Sequence, residues 1–272
     1  MKKIIVAPDS FKGSLTSAEV ADAVERGIKD VFPQCNVVKA GVADGGEGTV
    51  EAIVKAVGGD MYAASVTDPL GRPVKAAYGI VRSGGVKTAV MEMSAASGLP
   101  LLLPDELNPW ITSTYGTGEM ISDALNRGCR KFLVGIGGSA TNDAGTGMLS
   151  ALGVRFLDSR GQRLKGCGRD LESIARIDMS SLMPAARESE FIVACDVNTP
   201  FCGPDGAARV FAPQKGADPQ TAEALDRGMR SFARVIAEQF QTDIVPLSGA
   251  GAAGGLGGAF KAFFKCQADR RD

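Results

Sequence analysis

Apolar and polar positions along this chain fall into three successive regimes. Ile4 to Ala7 is a short apolar, β-branched run suited to a buried parallel strand. Thr16-x-x-Glu19 reads as a capping box opening a helix with Val20, Val24, Ile28 and Val31 on one stripe, ended by Pro33. A second strand, Asn36 to Ala43, leads through Asp44-Gly45-Gly46-Glu47-Gly48 into a helix carrying Val50, Ile53, Val54 and Val57, closed by Gly58-Gly59. Between residues 61 and 93 the helical period disappears. Three strand-type segments (Met61 to Thr67, Val74 to Arg82, Val86 to Met93) separated by Asp68-Pro69-Leu70-Gly71 and Ser83-Gly84-Gly85 predict an antiparallel meander. From Thr112 the α/β alternation resumes: helix 116–127, strand Lys131 to Ile136, a glycine-rich loop from Gly137 to Gly147, a helix, strand Val154 to Leu157, and later strand Phe191 to Ala194. A long helix from Pro219 sets Leu225, Met229, Phe232, Ile236 and Phe240 at steps of three or four. Ile244 to Leu247 reads as strand-like, ahead of a glycine-rich loop and a helix from 255.

The order β-α-β-α, meander, then alternation predicts an α/β protein of two α/β lobes, one Rossmann-like with a parallel sheet, the other mixed with an antiparallel meander. Composition shifts near 60 and 245 set the expected limits. Residues 1–60 are the first part of the Rossmann-like lobe, 61–245 the second lobe and a candidate insertion into the first, and 246–264 a Gly-rich loop and helix.

Composition narrows the chemistry. The chain has no histidine among 272 residues, which removes Ser-His-Asp and Cys-His mechanisms and leaves acid–base or metal work to carboxylates, lysines and hydroxyls. Glycine is in excess, 35 residues, so much backbone is available for close approach to a ligand. A net charge of −1, without a dense Lys/Arg run before the terminal Arg270-Arg271, argues against nucleic acid and membrane surfaces as partners. No apolar run approaches the ~18 residues needed to span a bilayer, and the apolar stretch after Met1-Lys2-Lys3 is too short for a signal segment, so a cytoplasmic protein is expected. The six cysteines form no C-x-x-C pair and read as reduced core or loop residues.

Five polar, glycine-rich segments carry the candidate chemistry: residues 9–14, 44–49, 137–145, 196–216 and 249–255. Four emerge beyond strands, where open α/β sheets bind ligands. Glycines let main-chain N–H groups approach phosphate oxygens, lysine neutralises charge, and aspartate or glutamate holds Mg2+ through oxygen. Taken singly, each loop fits turn and cap chemistry better. Taken together, they favour one shared site. There is no Gly-Lys pair and hence no Walker A loop; Gly249, Gly251 and Gly254 form a lone G-x-G-x-x-G, which weakly suggests an NAD-dependent oxidoreductase. Cys195, next to Asp196, reads as a structural thiol rather than a nucleophile. Lys12 and Lys215, lying in glycine-bearing loops, are the better phosphate or carboxylate candidates among the lysines.

The segments VAPDSFKGSLTSAEV (6–20), VADGGEGTVEA (42–52), GIGGSATNDAGTGM (135–148), VACDVNTPFCGPDGAARVFAPQKGA (193–217) and GAGAAGGLGGA (249–259) resemble, in order, motifs of the bacterial type 1 glycerate kinases. The resemblance implies ATP-dependent phosphorylation of D-glycerate, in many bacterial members to 2-phosphoglycerate, by two α/β lobes with the active site between them. Ala144 and Ser248 depart mildly from the family pattern, at positions where it usually has glycine and often has proline. Beyond Phe264 the polar residues 265–272 no longer resemble the family, whose members are longer. A C-terminally truncated chain is therefore expected, and with it an alternative of an inactive pseudo-kinase that binds ligand without turnover.

For phosphoryl transfer at such a site, a carboxylate must accept the hydroxyl proton. Asp196 and Asp9 are the candidates for base or Mg2+ ligand, with Asp44 and Glu47 as further Mg2+ ligands. Lys12 and Lys215 are expected to hold the substrate carboxylate or the transferring phosphoryl group. Ser10, Ser14, Gly45, Gly46, Gly137, Gly138, Ser139, Asn142, Asp143, Asn198 and Gly251 complete the expected phosphate- or glycerate-binding set.

Overall fold

The computed structural model describes residues 3–8, 11, 14–15, 17–39 and 48–268. β1 (Lys3–Val6) and β2 (Asn36–Lys39) pair in parallel across α1 (Ser17–Val31), with Lys3 opposite Asn36. Val20 and Ala21 on α1, Val6 on β1 and Cys35 are this unit's buried apolar residues among the described ones.

Residues 48 to 268 build around one six-stranded sheet, with a separate two-stranded pair beside it. α2 (Thr49–Val57) is followed by β3 (Gly59–Thr67), β4 (Pro73–Ser83) and β5 (Val86–Glu92), the expected meander. Its first turn is organised by Asp68, whose carboxylate accepts hydrogen bonds from the N–H groups of Leu70 and Arg72 and from Arg72 Nε, with Gly71 at φ 87°. A short α3 (Ser94–Ser97), α4 (Tyr115–Asn126), β6 (Lys131–Gly135) and α5 (Thr146–Ala151) come next. β7 (Arg155–Leu157) and β8 (Arg176–Asp178) form a separate antiparallel pair. Then follow α6 (Pro184–Glu188), β9 (Glu190–Ala194), α7 (Ala207–Phe211), α8 (Pro219–Phe240), α9 (Leu256–Phe263) and β10 (Lys265–Ala268). The sheet order is β10-β9-β6-β5-β4-β3, with β5, β6, β9 and β10 parallel.

The core sits between this sheet and its helices. Phe132 of β6 and Phe191 of β9 stack at 4.7 Å, and Phe260 and Phe264 close over Phe191 at 5.3 and 4.7 Å. α8 starts with an Asp218 cap accepting from the Thr221 N–H at 2.7 Å and Pro219 in its first turn, and it buries Leu225, Met229, Phe232 and Ile236 as its stripe predicts.

Three expectations change. Ile244–Leu247 is a turn, not a strand. α2 lies on the six-stranded sheet, with Val50 and Val54 packed on Val90, and α9 and β10 complete that sheet's far side. The unit built on this sheet therefore runs from 48 to 268, rather than over 61–245 with a separate loop at 246–264 and a tail from 265. A composition shift reports side-chain chemistry, whereas the pairing of β10 with β9 is a long-range event no local window contains.

Glycine decides the approach of α4. A Cβ at Gly116 would stand 1.8 Å from the Thr67 carbonyl oxygen at the end of β3, and one at Gly118 would stand 2.3 Å from that of Met148 in α5. Because backbone lies on the other side, relief requires moving the helix. Gly116→Ala is expected to destabilise by about 2–3 kcal/mol, lowering the melting temperature by ~5–10 °C. Thermal denaturation followed by circular dichroism checks this, and an unchanged midpoint would show that α4 shifts freely.

Candidate active site

Three parallel strands stop at the same level. Glu92 of β5 is opposite Gly135 of β6, and Gly135 is opposite Ala194 of β9. The residues just beyond them, Met93 to Gly98, Ile136 to Ser139 and Cys195 to Asn198, are lateral neighbours at the carboxyl edge, where an open α/β sheet places its ligand. The edge is stitched by Met93 N–H to Gly135 O at 2.9 Å and Ile136 N–H to Ala194 O at 3.4 Å.

The Gly137-Gly138-Ser139 loop is fixed from below and left open above. Gly138 O accepts from Leu99 N–H, the Ala140 N–H donates to Ser97 O, and Thr112 Oγ1 donates to Ala140 O, each at 2.9 Å. Gly137 and Gly138 are exposed, and among the described residues neither of their N–H groups meets an acceptor. Gly138 adopts φ 70°, which its missing side chain permits. Ser139 is only 6% exposed.

Below the loop lies Lys215, 1% exposed, in a single turn after Pro213. Its Nζ donates to Ser139 Oγ and to Thr141 O, both at 2.7 Å. Burial pulls its ammonium down to about 7, with Asp143 as the opposing charge. Lys215 thus touches the loop, not the rim.

Asn142 and Asp143 also turn inward. Both are fully buried. Asn142 Nδ2 faces Met229 Sδ at 3.3 Å, and Asp143 accepts from Thr114 N–H (2.7 Å), Thr114 Oγ1 (2.8 Å), Gly145 N–H (3.0 Å) and Gly147 N–H (3.2 Å). Burial pushes the Asp143 carboxyl up against the pull of those four donors. These two side chains hold the loop from within. Thr141 Oγ1 and Asn142 Oδ1 are buried without a partner.

Asp196 is the opposite case. It is exposed, two residues past the end of β9, and unlike Asp68, Glu92 and Asp143 it makes no hydrogen bond or ion pair among the described residues. Asn198, also exposed, accepts from Ser248 Oγ at 2.7 Å. Gly251 is buried, its N–H bonded to Thr199 O at 3.0 Å, and a Cβ there would lie 2.0 Å from Pro200 O. It locks two loops together. Ala144 N–H donates to Gly254 O at 2.9 Å, so the 249–255 segment packs directly on the 137–145 loop. With a turn before it and φ 52° at Ala253, that segment lacks the strand-to-helix setting of a dinucleotide fingerprint. The Cys195 thiol is raised by burial, which suits a structural thiol.

Ser14 is exposed in a turn, its N–H bonded to Phe11 O at 2.8 Å. Asp9, Ser10, Lys12, Asp44, Gly45, Gly46 and Glu47 lie outside the described residues. Among the described residues, no group of three or more Cys, Asp or Glu gathers as a metal site. A cleft of about 520 Å3 flanks α8, lined by Asp158, Glu172, Arg234 and Glu238, but none of the loops after β5, β6 and β9 reaches it. The convergence of strand ends, not that volume, marks the site.

Two residues of the edge escaped sequence reasoning. Glu92, ending β5, accepts the Val50 N–H at 3.1 Å and so holds the start of α2 beside the edge. Lys261 of α9 donates to Ser248 O next to the Asn198 loop. Glu92 was detectable as an acidic residue closing an apolar strand; Lys261 looks like any lysine on a helix.

The chain as a whole is similar to known proteins. A sequence model of the glycerate kinase family matches residues 4–271, through the segment expected to depart from the family. The glycerate kinase of Haemophilus influenzae (strain ATCC 51907 / DSM 11121 / KW20 / Rd) is 49% identical over 256 residues, 94% of this chain and 67% of that protein. The glycerate 2-kinase of Escherichia coli (strain K12) is 46% identical over 261 residues, 96% of this chain and 68% of that protein. A crystal structure designated glycerate kinase 2, from Salmonella typhimurium LT2, superposes with a TM-score of 0.87 at 46% identity, covering 99% of this chain and 71% of that one.

Proposed function

Because this chain belongs to the glycerate kinase family, we propose that it transfers the γ-phosphoryl group of ATP to a hydroxyl of D-glycerate, the 2-hydroxyl, giving 2-phosphoglycerate. The observation that carries the chemistry is the pairing, at one sheet edge, of an unpartnered carboxylate, Asp196, with the open Gly137-Gly138-Ser139 loop. Catalysis of this kind is positioning plus charge stabilisation. Asp196 accepts the proton of the attacking hydroxyl, and the free N–H groups of Gly137 and Gly138 receive an anionic oxygen. Mg2+ would supply charge neutralisation on the phosphates when bound; Asp44 and Glu47 remain its proposed ligands, Asp9 a further proposed base or Mg2+ ligand, and Lys12 a proposed holder of the substrate carboxylate or the transferring phosphoryl group.

The reading is of a cytoplasmic enzyme acting on small molecules. The net charge of −1 offers nucleic acid no footprint, and no helix among the described residues is long and apolar enough to cross a membrane. The test is ADP release by the purified chain with MgATP, with and without D-glycerate, and 31P NMR of the product. Glycerate-dependent ADP release with the phosphate on C2 is expected. Glycerate binding without turnover would instead support the inactive pseudo-kinase, and NAD(H) binding would support an oxidoreductase.

A further inference from the structure

Lys215, expected to hold a substrate anion, is buried with its Nζ on Ser139 Oγ and Thr141 O. A buried ammonium facing two neutral oxygens is unfavourable, and a methionine would fill the space without that penalty. The group therefore answers to something other than packing. Its Nζ occupies a lone pair of Ser139 Oγ at 2.7 Å. A hydroxyl that accepts there keeps its own proton free to donate, and among the described residues Ser139 donates that proton to no group. The backbone on both sides of Ser139 is pinned by Leu99 and Ser97, and the two residues preceding it are the exposed glycines of the rim.

We propose that Ser139 is an anion donor of the site, its hydroxyl aimed at a carboxylate or phosphate oxygen held over Gly137-Gly138, and that Lys215 is the positioning residue that sets this direction and carries positive charge one hydroxyl behind the anion. The kinase reading enters only in naming the two anions that fit, the carboxylate of glycerate and the phosphates of the nucleotide. Both offer the same acceptor chemistry.

The arrangement has a pH signature. The groups facing Lys215 are Ser139 and Thr141 O, both neutral, and the charge acting on it is Asp143, whose carboxylate is held by four donors of its own. Below about 7 the ammonium is present and Ser139 donates outward. Above that pH the neutral amine can accept the Ser139 proton, so the hydroxyl turns inward and the charge is gone. Anion affinity falls as pH rises through this range.

The test is calorimetric titration of the full chain with D-glycerate in one arm and ADP in the other, at pH 6.0 and 8.5, which needs no turnover. For one of the two ligands, Ser139→Ala and Lys215→Met are each expected to weaken binding about 30-fold or more, the range of a hydrogen bond to a charged group. The double variant should lose no more than about threefold beyond the weaker single variant, because Lys215 acts through Ser139. Wild-type affinity for that ligand should drop between pH 6.0 and 8.5, and the drop should vanish in Ser139→Ala, a readout that stands even if Lys215→Met fails to fold. Multiplying losses in the double variant, a pH slope retained in Ser139→Ala, or no wild-type binding of either ligand would overturn the assignment. Binding that behaves as expected without ADP release would remove the kinase reading and leave this one intact.

Discussion

Asp196→Asn is expected to lower kcat by about three orders of magnitude, the middle of the range for a lost general base, with both KM values within a few-fold of wild type and an unchanged melting temperature. The separation of effects follows from the placement of the residue. Asp196 is exposed beyond β9 and bonds to nothing among the described residues, so the folded state loses no interaction when the charge goes. Its isosteric amide cannot accept the hydroxyl proton. With no histidine anywhere in the chain, no other neutral-pH base of the usual kind can stand in. Steady-state kinetics with MgATP and D-glycerate decide the matter. Turnover near the wild-type rate would remove Asp196 from proton transfer and move the role to Asp9.

The second large effect falls on stability. Asp143→Ala strands four buried donors, the Thr114 N–H and hydroxyl and the N–H groups of Gly145 and Gly147. At ~1–3 kcal/mol for each unsatisfied buried group, the loss is comparable to the whole stability of a typical domain. The variant is expected to be insoluble or to show no cooperative urea transition. Asp143→Asn should fall in between, since its amide nitrogen opposes one set of donors while its oxygen still serves the others. A soluble Asp143→Ala with a native transition and abolished ligand binding would return the residue to the ligand-binding role that its sequence context suggests.

That contrast shows where sequence reading stopped. The meander was legible because two turn-forming segments interrupt three β-type runs, and α8 was legible because five apolar residues keep its period. Of the five glycine-rich loops, 137–145 and 196–216 leave neighbouring strands of one sheet edge, 249–255 follows a turn rather than a strand, and most of 9–14 and 44–49 lies outside the described residues. What could not be read was direction. Asn142, Asp143 and Lys215 have the composition of ligand-binding residues, yet the same side chains satisfy a loop from inside when it is buried, and a one-dimensional pattern does not distinguish the two. Gly251 belongs to a dinucleotide-like spacing but serves close packing against Pro200. The family resemblance carried the chemistry further than the residue pattern could, because it rests on long ordered motifs rather than on any side chain's orientation.

The β1-α1-β2 unit has a consequence for every melting experiment above. Its buried apolar set among the described residues is Val6, Val20, Ala21 and Cys35, while Ile5, Val31 and Phe32 stand 65%, 68% and 50% exposed. A two-stranded sheet is marginal by itself, and opening free energies track the apolar surface a region hides. The β1-α1-β2 unit is therefore expected to open at lower cost than the six-stranded unit. A single transition followed by a global probe is expected to report the six-stranded unit, and amide exchange in β1, α1 and β2 is expected to proceed through local opening at smaller cost.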